Sequence, residues 1–291
     1  MPNEINKPPS GLKNLVTGAF QRYGAAINNV LYRMGVEITA VRVSGNSDER
    51  KKAAHGFDRE FENFSKSSTR PFNYYKQYHF DRGIHPANYV DFECAFAAKH
   101  LMRLNPEKLL DVGSYRHFVI GLLTSRAVTT VDVRPRKNIL ENETILVCDS
   151  KKLDLPDDSV DAVVSLCAVE HFGLGRYGDD IDPEGDVKAV REMMRVVVPG
   201  GRVILTTTIT GGAPFVAFNV HRVYDHVMIM DMTRPMVCQD EAVFSISGGG
   251  FTGVENAIIT PRLWDIYCGC FKKPDLSPDN VGKQARPDGA I

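Results

Sequence analysis

Leu109-Leu110-Asp111-Val112-Gly113-Ser114-Tyr115-Arg116-His117-Phe118 is an apolar run that ends in Asp-x-Gly and passes into a helical stretch over residues 118–123. A strand, a sharp turn at a glycine and a helix make the opening of a βα unit, and the glycine lets a ligand approach the backbone closely. Working outward, the same alternation recurs. Strand-like runs cover residues 127–133, 144–148, 162–166 and 202–208, with helical or loop segments between them. Pro199-Gly200-Gly201 turns the chain into the last of these. Alternating strands and helices argue for parallel βαβ units. Residues 240–247 read as a helix closed by Gly248-Gly249-Gly250, and two more strands are expected over 253–259 and 264–271. The expectation is a Rossmann-like α/β fold: a seven-stranded, mostly parallel sheet with helices on both faces.

On the amino-terminal side, residues 89–104 read as a helix stopped by Asn105-Pro106. An aromatic cluster precedes it, namely Phe72, Tyr74, Tyr75, Tyr78 and Phe80, and residues 44–70 read as a charge-rich loop with marginal helix. Residues 11–36 carry apolar positions at three- and four-residue steps, the mark of an amphipathic helix. Such a helix packs on the main domain or lies on a membrane surface or partner. The expected organisation is an amino-terminal helical or lid extension over 1–84, the α/β domain over 85–273, and a disordered tail over 274–291 rich in Pro, Asp, Gly and Lys.

With 291 residues, 43% hydrophobic and 24% charged, the chain can bury a core of ordinary size. A net charge of −1 gives no general attraction to nucleic acid, and no such partner is expected. The six cysteines show no zinc-ligand spacing and no disulfide framework, which fits a reducing compartment. With no signal-peptide pattern and no apolar run of about 18 residues, a cytoplasmic location without a transmembrane segment is expected, peripheral membrane contact being left to the amino-terminal helix. The oligomeric state is not legible.

The second strand ends in Val131-Asp132-Val133-Arg134, and an acidic residue there can accept hydrogen bonds from both ribose hydroxyls of an adenosine. The first loop decides between adenosine cofactors. A dinucleotide needs small residues so that backbone amides can hold its pyrophosphate. Here Tyr115 and Phe118 stand at the second and third glycine positions of that pattern, which disfavours a nicotinamide cofactor. S-adenosylmethionine has no pyrophosphate. It carries a zwitterionic amino-acid end and a cationic sulfonium, which a carboxylate such as Asp111 helps to position.

Beyond the third strand, Cys148-Asp149-Ser150 and Leu153-Asp154-Leu155-Pro156-Asp157-Asp158-Ser159-Val160-Asp161 lead into the fourth. Later comes Arg195-Val196-Val197-Val198-Pro199-Gly200-Gly201. This set of motifs resembles the class I S-adenosylmethionine-dependent methyltransferases, over residues 86–273. The resemblance implies that Asp132 binds ribose and that Asp149 lies beside the adenine. It implies further cofactor contacts from Asp111, Gly113, Ser114, Tyr115, Val133, Arg134, Ser150 and Cys167. The family's usual triple-glycine loop is replaced by Gly113-Ser114-Tyr115. That departure motivates an alternative reading, a non-catalytic methyltransferase-fold protein acting as a binding scaffold.

After the fourth strand comes a span that includes Glu170-His171, Gly173-Leu174-Gly175-Arg176-Tyr177-Gly178-Asp179 and Ile181-Asp182-Pro183, then Gly185-Asp186; Phe218-Asn219 and His221-Arg222-Val223-Tyr224 follow. Together they are similar to a subgroup of methyltransferase-like proteins with these two signatures. They follow the carboxyl ends of strands four and five, where open α/β sheets bind ligands. Arg176, Tyr177, Asp179, Asp182, Asn219 and Arg222 are candidate acceptor-binding residues, unless the loop satisfies itself, with Arg176 paired to Asp179 or Asp182. Removing a proton from a hydroxyl acceptor suits a histidine. His171 is the first candidate base and His221 the second, each equally readable as a structural histidine, with Glu170 orienting His171 or capping the next helix. Related metal-dependent enzymes place Glu-x-x-Glu-His here, but Cys167 stands at the first Glu, so no metal is expected. The acceptor expected is a small molecule or glycan, methylated on oxygen. The glycan part follows from the polar loop and from the subgroup's association with surface-polysaccharide genes.

Overall fold

The computed structural model describes residues 47–76, 88–137 and 140–275. The chain divides into two compact units, Met1–Pro86 and Ala87–Ile291. The amphipathic helix expected over 11–36, the tail beyond 275 and the aromatic residues Tyr78 and Phe80 lie outside the described residues.

In the first unit, helix α1 spans Ser47–Ser67, where a loop with marginal helix is expected from sequence. Its aromatic residues Phe57, Phe61 and Phe64 recur at helical steps, and Glu62 and Lys66 pair one turn apart. The following segment folds back on it. Tyr74 meets Phe64 and Phe72 edge-on, with ring centroids 6.0 and 6.4 Å apart. Lys76 pairs with Asp58 at 2.8 Å.

The second unit begins with α2, Tyr89–Leu104. Asn88 and Asp91 close a reciprocal capping box, an arrangement that stabilises a helix start by about 1 kcal/mol. At the other end Asn105, in the left-handed region at φ 43°, donates its N–H to Leu101 O. The unit continues through β1 (Leu109–Val112), α3 (Arg116–Leu123), β2 (Val128–Asp132), β3 (Glu143–Val147), β4 (Val160–Leu166), α4 (Gly185–Val196) and β5 (Val197–Ile209). Then come β6 (Phe215–Ala217), β7 (His221–Val223), α5 (His226–Thr233), β8 (Val237–Ser245), β9 (Gly250–Thr252) and β10 (Asp265–Lys272).

The main sheet has the order β3-β2-β1-β4-β5-β10-β8-β9. Strands β3, β2, β1, β4 and β5 are parallel, and β10, β8 and β9 extend the sheet with antiparallel pairings. The fold is thus Rossmann-like α/β, and the chain order reverses direction at β1, between β2 and β4. Alternate residues divide the core. Leu109, Ala162, Val164 and Ile204 face α2 and α3 with Phe96, Leu101 and Val119. Leu110, Val163, Val203 and Leu205 face α4 and α5 with Met193, Val196 and Ile229. Each of the Leu, Ile and Val side chains among these, fully buried, stabilises the fold by about 1.5–3 kcal/mol.

Two sequence expectations are corrected here. Residues 240–247 belong mostly to strand β8, not to a helix: the strand pairs with β10 and β9. Its apolar residues are interrupted by Gln239, Asp240 and Glu241, and its two buried residues, Val243 and Phe244, are adjacent, so no two-residue period shows in the sequence. The strand expected over 253–259 is instead a single 3-10 turn at Val254–Asn256, after the short edge strand β9. The main sheet therefore has eight strands rather than seven, and a separate hairpin pairs β6 with β7.

Candidate functional site

The parallel strands end along one edge, and a crevice opens there over β1 and β4, beside the reversal of strand order. That is where open α/β sheets leave room for a ligand. It measures about 610 Å3 out to its open mouth. Gly113, Asp132, Val133, Arg134, Asp149 and Ser150 line the side of strands β1 to β3. Cys167, His171, Tyr177 and Asp179 line the side of β4 and its following loop. The structure thus brings ten of the sequence-derived candidates to one place.

Gly113 holds the turn after β1 at φ 74°. A Cβ there would come within 3.0 Å of the Ala168 side chain, so the glycine permits the two crevice walls to approach. Asp132 sits at the end of β2. Its Oδ1 accepts from the Arg134 backbone N–H at 2.9 Å and from Nε at 3.0 Å, and its Oδ2 accepts from Nη2 at 3.0 Å. Burial acts to raise its pKa, but the Arg134 hydrogen bonds and charge outweigh that and hold the carboxyl below its ordinary value. Arg134 also lies over the Tyr177 ring at 4.5 Å, so it spans from the β2 end to the loop beyond β4. Asp149 accepts from Lys151 N–H at 2.9 Å and pairs with Lys151 Nζ at 3.3 Å.

Three candidates lie beneath the crevice rather than in its lining. Asp111 is buried with Oδ1 lacking any hydrogen-bond partner, and burial pushes its carboxyl up to about 7. Ser114 receives the Leu166 N–H on its hydroxyl at 3.1 Å, tying β1 to β4. Tyr115 precedes α3 and reaches Glu93 Oε1 at 3.4 Å.

His171 closes the short 3-10 turn after β4. Its Nδ1 lies 2.6 Å from Val220 O, which can only accept, so Nδ1 carries the proton and Nε2 keeps its lone pair. Burial, and to a smaller degree Arg176, lowers its pKa to about 4, so the ring is neutral at pH 7. Glu170 Oε1 stands 4.0 Å from Nε2, and its own carboxyl is fully buried and raised by that burial to about 7. His221 lies outside the crevice lining, in β7, with its ring 4.6 Å from Trp264 and a buried Nε2 that has no partner.

The loop between β4 and α4 is held by main-chain atoms. The Asp179 carboxylate accepts from the N–H groups of Gly173, Gly175 and Tyr177 at 2.8, 3.4 and 3.2 Å. Gly185 abuts Gly173 so closely that a Cβ would lie 2.8 Å from the Gly173 Cα. Arg222 is buried outside the crevice lining. It donates to Phe172 O, Asp182 O and Pro183 O at 2.6, 3.3 and 3.2 Å, and its Nε faces Asp186 at 3.4 Å. Tyr224 donates to Asp186 at 2.9 Å. The two signature segments are therefore one assembly, in which Arg222 fastens the loop. Asp182 pairs with Lys188 at 2.7 Å on the loop's outer side. Arg176 meets neither Asp179 nor Asp182 in an ion pair; it donates to Val220 O at 3.1 Å. Asn219 is exposed in the turn between β6 and β7.

Sequence reading missed Glu93. It is completely buried on α2, accepts from the Thr206 hydroxyl at 2.6 Å, and is raised by burial to about 7. Its place one turn before Phe96 and Ala97, on the apolar face of the helix, is the signal that could have found it.

Comparison with known proteins adds three findings. Residues 136–236 match a family model described as "Caenorhabditis protein of unknown function, DUF268". A "Probable tRNA methyltransferase 9B" from Bos taurus is 31% identical over 61 residues, and its Homo sapiens counterpart is 32% identical over 60. These matches cover 21% of this chain and 12% of each relative's length. Among solved structures, a Burkholderia thailandensis 1,6-didemethyltoxoflavin-N1-methyltransferase is 13% identical with a TM-score of 0.48, covering 81% of this chain and 94% of its own. The [4+2]-cyclase SpnF is 14% identical with a TM-score of 0.49, covering 82% of this chain and all of its own.

Proposed function

We propose that this chain is an S-adenosylmethionine-dependent methyltransferase that transfers the methyl group to a hydroxyl of a sugar, polysaccharide precursor or similar polar small molecule. The observation that carries the reading is the crevice itself. It joins a carboxylate at the end of β2, Asp132, to a second after β3, Asp149, across the glycine turn after β1. That donor set suits an adenosine: Asp132 for the ribose hydroxyls, Asp149 beside the base, and Asp111 with an uncommitted buried oxygen near the first loop. The group would supply a methyl carried on a sulfonium, ready for in-line displacement.

The remaining work falls to the chain's own residues. His171 offers a neutral ring with Nε2 unprotonated, the state required to take a proton from an acceptor hydroxyl. Glu170, behind that nitrogen, stabilises the imidazolium when its own carboxyl is ionised. Tyr177, held between Arg134 and Arg176, walls the mouth on the acceptor side. Holding an acceptor hydroxyl at reacting distance contributes about 7–11 kcal/mol to the rate of such a transfer.

The pairing of Arg134 with Asp132 favours one second reading, a scaffold that binds no cofactor because its ribose carboxylate is already spent. Calorimetric titration separates the two. The enzyme reading expects S-adenosylmethionine to bind with low-micromolar to submillimolar affinity and Asp132→Ala to weaken that binding by about 100-fold or more. Absence of binding to the wild-type chain would sink it. Mass spectrometry of candidate sugars incubated with labelled cofactor, against a His171→Ala control, then tests the acceptor.

A further inference from the structure

Glu93 of α2 and Glu170 of the turn after β4 converge on one thiol. Burial and the charges of both carboxyls push the Cys167 thiol upward, and Cys167 is itself a wall of the crevice. Each carboxyl takes one threonine hydroxyl from β5: Thr206 on Glu93 and Thr207, at 3.0 Å, on Glu170. The other titratable groups facing them offer no positive charge. Tyr89, Cys94, Tyr115 and Cys268 face Glu93, while His171 and Tyr224 face Glu170. Among the described residues no lysine or arginine lies within ion-pair distance of either carboxyl; the nearest ring nitrogen is the neutral His171 Nε2 at 4.0 Å. Two carboxyls that share a dry site without a cation cannot both ionise, since burial and mutual repulsion both favour a bound proton.

We infer that Glu93 and Glu170 form a charge-sensing pair beneath the crevice, holding a proton under a neutral ligand and giving it up under a cationic one. The inference rests on the cofactor reading above and deepens it. S-adenosylmethionine is a sulfonium cation; S-adenosylhomocysteine, left after methyl transfer, is a neutral thioether. The pair therefore favours the methyl donor over the spent product. The proton leaves to solvent when the cation binds and returns when the positive charge is lost with the methyl group. While the donor is bound, the ionised pair also supplies the negative charge behind His171.

The test is calorimetric titration of the whole chain with each ligand at pH 7, in two buffers of different ionisation enthalpy. The two ligands have the same amino-acid end, so its protons cancel in the comparison. About half a proton is expected to be released with S-adenosylmethionine and none with S-adenosylhomocysteine. Between pH 6 and pH 8 the affinity for the donor should rise about 3–10-fold relative to that for the product. Glu93→Gln keeps the shape and the Thr206 contact, and it should erase the difference in proton release and narrow the donor preference by the same factor. The wild-type comparison stands if that variant fails to fold. Binding of both ligands with equal proton exchange overturns the pair and leaves the cofactor reading intact. Binding of neither overturns both.

Discussion

Two polar clusters lie at the same end of the sheet and are built on opposite terms. Around Arg222 every charge is answered: the guanidinium donates to three loop carbonyls and faces Asp186, which also receives the Tyr224 hydroxyl. Beneath the crevice, Glu93 and Glu170 are buried with hydroxyl partners and, among the described residues, no cation. A buried charge with its full complement of partners holds a structure in place. A buried acid without one stores a proton, and its state then depends on what arrives from outside.

The largest effect that would sharpen this contrast is at Arg222. Arg222→Ala leaves Asp186 and three carbonyls unanswered and should destabilise the fold by about 3–5 kcal/mol. Thermal unfolding would show it as a loss of about 10 °C or more; an unchanged midpoint would break the distinction. Next is Asp132→Ala, which should weaken S-adenosylmethionine and S-adenosylhomocysteine equally, by about 100-fold or more, about 2.7 kcal/mol. Glu93→Gln should go the other way on stability. A carboxyl raised by burial favours the folded state below its unfolded pKa near 4.5, and that advantage is lost as pH rises through about 7. The variant should therefore match wild type at pH 5 and melt about 3–6 °C higher at pH 8. The smallest effect belongs to Arg134→Ala. Freeing the Asp132 carboxylate should tighten cofactor binding by about 2–5-fold, since an exposed pair offsets only about 0–1 kcal/mol of it.

How much of this was legible depended on what each residue met. Helix α2 stands in the sequence because it buries one stripe and ends at Asn105-Pro106, and the parallel strands β1 to β5 because they are short runs rich in apolar and β-branched residues set between turn or helix signals. Strand β8 did not, since Gln239, Asp240 and Glu241 break its apolar run, and β6 and β7 are too short to show any period. The crevice residues Asp132 and Asp149 are readable because they end strands. Arg222 is not readable as a fastener, because nothing local tells an arginine whether it will meet a ligand or the carbonyls of a loop about 40 residues upstream. Glu93 was readable and was overlooked, a carboxylate on an apolar helical stripe.

The loop over residues 172–186 is gripped almost wholly through its own amides and carbonyls and through the backs of two glycines. Its outward side chains, Asp180 and Ile181 among them, bear little of that grip. A change of acceptor chemistry can therefore be written at the tip by ordinary substitution while the frame keeps its shape. That makes the loop a natural place to graft a new specificity by directed evolution, with libraries confined to those outward positions.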